Sequence, residues 1–175
     1  NDRKQAEAVL QEQSRRVVIL NAITRLSLEM TDFQVMLQEF SDRLGDLFHA
    51  DGAFITLWNE THQIATPVAA YGSFREAYRE IKVSPDAKTM TASVLQARQV
   101  LVAEDVFNTP YVSPEISAQF PTRSMMGLPL IAGEQNLGAL LISFHQSHHF
   151  SAEEIAFGEQ VAFQIALAVA RVQLL

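Results

Sequence analysis

The sequence predicts an α+β domain built on an antiparallel sheet, and three observations carry that prediction. Residues 2 to 30 contain neither Pro nor Gly and space their apolar positions three and four apart, while residues 151 to 175 read as a second long helix. Between these, "AFITLW" and "QIATPVAAYG" flank the short "NETH", and "RSMMGLPLIAGEQNLGALLISFH" holds two apolar runs about "AGEQN". Runs joined so closely return as antiparallel hairpins. The resulting order of two helices, a hairpin, short helices, a strand, an irregular segment, a strand pair and a last helix does not alternate strand with helix, which argues against a parallel α/β sheet.

Composition bounds the function. At 175 residues, with 48% hydrophobic and 19% charged, the chain suits one globular domain with its own core. A formal charge of −7 gives no field to attract phosphates, so nucleic acid and anionic membrane surfaces are not expected partners. The absence of cysteine excludes disulfides, thiolate zinc sites, thiol catalysis and thioether attachment of a cofactor. The polar start "NDRKQAEAVL" lacks an apolar leader, and the run Leu137 to Phe144 is too short to cross a bilayer, so a cytoplasmic setting with no membrane span is expected.

The first helix carries Val9, Glu12, Arg16, Ile19, Ile23, Leu26 and Met30 on one stripe, polar at its start and apolar from Ile19. Residues 1–20 are therefore expected to be a helical linker, continuing an upstream helix or coiled coil into a domain at 21–175. Thr31 and Gln34 form a capping-box pattern for a second helix whose buried stripe is Phe33, Met36, Leu37, Phe40, Leu44, Leu47 and Phe48, closed by "HADG". After the first hairpin, Ser73 and Glu76 repeat the box before a short helix with Phe74, Tyr78 and Ile81. "TASVLQAR" then reads as a helix and "QVLVAED" as a strand. Asp105 to Pro121, with three prolines and no clean period, is an irregular segment with room for one helical turn, a kind of loop that in compact domains is usually functional or mobile. The following two strands are apolar at both parities, so both faces of that part of the sheet should be covered.

"SFHQSHHFSAEE" places His145, His148 and His149 close to two glutamates. Two readings compete. Imidazole and carboxylate together suit a metal or an acid/base catalyst. Against this, Ser151 and Glu154 form a third capping box, with Phe150 and Ile155 as its staple, which makes the cluster a seam between a strand and the last helix. The seam is favoured. In that helix Gly158, Ala162, Ala166 and Ala170 form a small-residue column, and Phe157, Val161, Ile165 and Val172 a bulky one. One face should meet the sheet, the other the first helix and a second subunit; the alternative is a helix sandwiched within one monomer.

"ADGAFITLW", "VLVAEDV", "RSMMGLPL" and "NLGALLISF" followed by "FSAEEI", in this order and spacing over about residues 20 to 175, resemble the GAF domain, a sensory module of signalling proteins. The resemblance implies a central antiparallel sheet with the N- and C-terminal helices on one face and, on the other, a ligand pocket covered by short helices and loops. It also implies cytoplasmic signalling and a homodimer through the terminal helices. Strand alternation then proposes pocket residues: Ser124, Met126 and Leu128 on one strand, Ala139, Leu141, Ser143 and His145 on the next, and Phe54, Thr56 and Trp58 on the first. Asp105, Tyr111, Phe120 and Arg123 belong to the proposed roof. For each, ordinary core or solvated loop is the competing reading, and for Asp105 a backbone cap is favoured over a general base.

Departures from well-known subfamilies narrow the cofactor. Bilin-binding members hold their chromophore through a cysteine, so a covalent bilin is excluded; the methionine sulfoxide reducing branch also needs cysteines. Cyclic-nucleotide-binding members carry an Asn-Lys pair before Phe and Asp-Glu, whereas here only Phe150 and Glu154 match. The cofactor, if any, stays unidentified, and a pocket of Met, Leu, Phe and Trp suits a less polar molecule. No phosphate loop, nucleophile elbow or zincin motif occurs. The expected function is thus a non-catalytic sensory domain that binds a small molecule or mediates dimerisation and signals through its terminal helices, in a sensor histidine kinase. The alternatives are a ligand-free dimerisation spacer and the effector domain of a transcription regulator.

Overall fold

The computed structural model describes residues 1–73, 75–84 and 86–173; Phe74, assigned above to a helical stripe, and Leu175, the expected end of the last helix, lie outside the described residues. Helices α1 (Asp2–Glu29) and α2 (Phe33–Phe48) lead into the hairpin β1 (Gly52–Asn59) and β2 (Ile64–Tyr71). Short helices α3 (Arg75–Arg79) and α4 (Met90–Ala97), strand β3 (Leu101–Ala103) and the single turn α5 (Pro114–Ser117) follow. The hairpin β4 (Ser124–Ala132) and β5 (Gln135–Phe144) precedes α6 (Ala152–Gln173). All strand pairs are antiparallel, as the sequence predicts, and the strands lie in the order β2-β1-β5-β4-β3.

The last strand pair turns at Gly133, whose φ of +61° is open to glycine at no steric cost. Strand β5 is the centre of the sheet, and all of its residues from Leu137 to Phe144 are buried. Two apolar layers account for this. One, formed by α1, α2 and α6, packs on the face of the sheet that carries Ile55, Met126, Leu128, Leu140 and Ile142. The other, formed by α3, α4 and the segment 104–123, covers the face that carries Phe54, Ala139 and Leu141.

The terminal helices lie side by side. The Arg16 guanidinium sits 5.3 Å above the Phe157 ring, the Thr24 hydroxyl is 3.4 Å from Gln164 Oε1, and Arg171 donates to the Ser27 carbonyl at 2.9 Å. These pairs advance together along both helices, so α1 and α6 run parallel. By length and composition alone α6 could cross a bilayer, but Phe157, Val161, Ile165 and Val169 are buried against the sheet and α1. The small-residue column lets α6 approach the sheet: a Cβ on Gly158 would come within 2.9 Å of the Leu128 side chain.

Two helix starts differ from the expected capping boxes. The N-cap of α2 is Asp32, whose carboxylate accepts from the Val35 amide, and not Thr31. A carboxylate caps at least as well as a hydroxyl and also meets the helix dipole, while Gln34 is drawn away to donate to the Val68 carbonyl of β2. At α6 the Ser151 hydroxyl does accept from the Glu154 amide. The Glu154 carboxylate, however, bonds His148 Nε2 at 3.0 Å instead of completing the box.

Candidate functional site

Between the sheet and its α3/α4 cover lies a cavity with about 80 Å³ of free interior space, open to solvent at its mouth. Its floor is Phe54 and Thr56 of β1, Leu141 of β5 and Met125 of β4, with Ala65 and Pro67 of β2 at the edge. Strand pairing explains this floor: Phe54 pairs with Leu141 and Thr56 with Ala139, so their side chains point the same way. Tyr78 comes from α3, and Thr89, Met90 and Thr91 come from the start of α4, where the Thr89 hydroxyl caps the Ala92 amide. Val106, Val112, Ile116 and Phe120 close it from the irregular segment.

Phe54, Tyr78 and Phe120 form an aromatic wall, with the Phe54 and Tyr78 rings 4.4 Å apart and Phe120 6.3 Å from each. The roof is held by polar ties between two irregular stretches. Gln119 accepts from the Lys82 amide and donates to its carbonyl, the Ser84 hydroxyl donates to Glu115 at 2.6 Å, and Ser113 and Lys88 bond each other in both directions. These ties leave exposed side chains such as Val83 at the mouth.

Polar groups inside are few. The Thr56 and Thr91 hydroxyls bond each other at 2.6 Å. Tyr78 is 5% exposed, and its hydroxyl has no hydrogen-bond partner among the described residues. Burial pushes its phenol well above the ordinary value, so the group stays a neutral donor at any physiological pH. No Asp, Glu, Lys, Arg or His stands among the described lining residues.

Of the residues proposed from sequence, Phe54, Thr56, Phe120 and Leu141 line this cavity. Ser124, Met126 and Leu128 do not: they lie on the opposite face, where Met126 and Leu128 are fully buried against the terminal helices. The register sets this, because Met126 pairs with Ile142 and Leu128 with Leu140, while Met125 pairs with Ser143. Ser124 is buried because its hydroxyl can donate to the Glu104 or the Gln146 carbonyl and accepts from the His148 amide. Ser143 and His145 keep the predicted parity but stand beyond the cavity, in a small recess with Asp51 and Thr122.

Trp58 lies further along β1, its indole N–H donating to Glu60 at 2.8 Å. Tyr111 is half-buried against the roof layer and does not line the cavity, and its carbonyl accepts from the Ser93 hydroxyl. Asp105 accepts from the Phe107 amide and pairs with exposed Arg123 at 3.3 Å, a loop cap. Phe150 and Glu154, the two matches to the cyclic-nucleotide pattern, belong to the helix side of the sheet.

The histidine cluster is a structural seam. His148 stacks on Phe144 at 3.8 Å, and His149 bonds Glu104. No group of three or more metal-ligating side chains converges among the described residues. Most of the remaining lining was missed by the sequence reading, including Tyr78, Thr91 and Met125. Tyr78 belongs to the predicted stripe Phe74, Tyr78 and Ile81, of which only Tyr78 lies within α3, since Ile81 follows the end of the helix and Phe74 lies outside the described residues; nothing local shows that this side chain faces a void.

Comparison with known proteins agrees with this geometry. A family model described as GAF domain matches residues 30–170. No curated protein matches the chain. Among solved structures, the GAF domain from a phosphoenolpyruvate-protein phosphotransferase of Coxiella burnetii superposes with a TM-score of 0.78 at 22% identity, over 91% of this chain and 95% of that one. Free methionine-R-sulfoxide reductase from Neisseria meningitidis, in complex with its substrate, gives 0.71 at 15% identity over 88% and 89%. A domain described as part of a two-component sensor histidine kinase protein from Sinorhizobium meliloti 1021 gives 0.65 at 18% identity over 81% and 93%.

Proposed function

The chain belongs to the GAF domain family of sensory and regulatory modules, and from that premise we propose that it binds a small molecule in the cavity and passes the bound state to α1 and α6 without catalysing a reaction. The observation that carries this is the division of one sheet between two layers. Leu141 and Met125 floor the cavity, while their neighbours Ile142 and Met126 are buried under the terminal helices. A molecule that moves the floor moves the helix bed as well, and it biases the helices by its difference in affinity for their two arrangements. The output module we propose is a sensor histidine kinase, supported by the presence among the structural neighbours of a domain described as part of a two-component sensor histidine kinase protein.

Native mass spectrometry of the purified chain tests the sensing reading. One small molecule retained per chain is expected, and a protein that takes up nothing, natively or after exposure to a metabolite mixture, speaks for a pure dimerisation module. That second reading has its own support in exposed apolar side chains on the terminal helices. Phe163 is 60% and Leu167 45% exposed on α6, and Leu10 and Val17 are exposed on α1. In both readings these faces join two copies of the chain. Phe163→Glu should weaken the dimer at least ~10-fold, since one buried aromatic anchor is worth about 2 kcal/mol or more, and should leave the melting temperature of the monomer unchanged. Sedimentation equilibrium reads the first outcome and circular dichroism the second.

A further inference from the structure

The cavity wall is mostly hydrocarbon; the Thr89 hydroxyl accepts from the Ala92 amide and the Ser117 hydroxyl donates to the Val106 carbonyl, and the corner of Thr56, Thr91 and Tyr78 is incompletely satisfied. Of the two threonine hydroxyls there, one donates to the other, which leaves one proton to spare. Beside them the Tyr78 hydroxyl is buried with no partner among the described residues. An unpaired buried hydroxyl costs on the order of 1–3 kcal/mol, a cost that an incoming acceptor removes. The absence of any charged side chain from the described lining sets the other boundary, because a buried ion without a counter-charge is disfavoured far more strongly than a neutral dipole.

We propose that the cavity selects an uncharged, largely hydrocarbon molecule bearing one carbonyl or comparable acceptor, which accepts a hydrogen bond from the Tyr78 hydroxyl. This rests on the sensing reading and narrows it to a ligand class: carboxylates, phosphates and zwitterions are rejected at the same corner that holds a ketone or an ester. The aromatic wall of Phe54, Tyr78 and Phe120 adds a preference for a flat ring over a branched chain. Because the phenol remains protonated throughout the neutral range, affinity for such a ligand is level between about pH 6 and pH 9.

The test uses the full 175-residue chain and three probes that differ at one group: acetophenone, ethylbenzene and benzoate. Titration calorimetry at neutral pH should show acetophenone and ethylbenzene binding to the unmodified protein and benzoate not binding. In Tyr78→Phe, acetophenone should bind about tenfold more weakly and ethylbenzene within twofold of its original affinity, a hydrogen bond's worth of difference. The substitution removes an unsatisfied hydroxyl, so the variant is expected to fold at least as stably. A measurement that needs no variant is the infrared carbonyl band of bound acetophenone, expected below its position in hexane. Equal loss or no loss for both neutral probes, an unshifted band, or benzoate binding more tightly than either would overturn the ligand class while leaving a ligand-binding domain. If none of the three probes binds, the ligand class is overturned, while the sensing reading stands or falls by the native mass spectrometry described above.

Discussion

Gly138→Ala should leave the domain insoluble or melting at least ~10 °C lower, the largest effect expected of any one-carbon change in this chain. Gly138 stands on the central strand β5, opposite Leu57 of β1. A Cβ there would lie 2.0 Å from the Thr56 carbonyl oxygen and 3.0 Å from the Leu57 Cα. Both are backbone atoms held in the ladder, so no rotamer change relieves the clash, and β1 must part from β5. That ladder joins the β2-β1 half of the sheet to the β5-β4-β3 half. Its loss costs upwards of ~4 kcal/mol out of the roughly 5–15 kcal/mol that a domain possesses. Thermal unfolding followed by circular dichroism reads the effect, and a variant melting within two or three degrees of the parent would show that the β1–β5 register is wrong.

The second large effect separates the two faces of β4. Leu128→Ala opens a void beneath α6, where Leu128 is fully buried and lies in the path of any Cβ on Gly158. The expected cost is about 2–5 kcal/mol, seen as a lower urea midpoint, with acetophenone affinity changed less than twofold once the protein is folded. Met125→Ala, three residues earlier and on the cavity floor, should cost only about 1 kcal/mol and change acetophenone affinity by severalfold. If the alanine at 125 proves the more destabilising and the one at 128 alters binding, the two faces have been interchanged.

That contrast also marks how far the sequence could be read. Helices α1, α2 and α6 declared themselves by stripes such as Phe40, Leu44 and Leu47, and the hairpins by short polar turns between apolar runs, because these signals are local and periodic. On β4 the periodic signal fails. Met125 and Met126 are both apolar and both faces of the strand are covered, so composition cannot say which parity meets the cavity. Ser124 suggested the wrong one: a serine looks like a pocket residue, yet here it is a buried tie between the Glu104 and Gln146 carbonyls and the His148 amide. On β1 and β5 the parity was readable for Phe54, Thr56 and Leu141, but alternation alone cannot tell how far along a strand a void extends. Trp58 and His145 lie past its ends for that reason. Tyr78 and Thr91 were out of reach for a different one, since their meeting with Thr56 depends on the path of irregular segments that obey no period.

The common direction of α1 and α6 has a mechanical meaning. A rod leading into the domain and a rod leading out of it point the same way and touch along Arg16–Phe157, Thr24–Gln164 and Ser27–Arg171. Splaying them apart from one end would break these contacts in succession, and a slip by a full turn would break all three, so the small motions that the pairs tolerate are partial slip and roll, like a bolt beside its guide. One turn of slip would be about 5.4 Å; if the cavity binds a ligand as proposed, a tilt of the sheet floor by a fraction of that distance would reach the two helices as thrust along a single line.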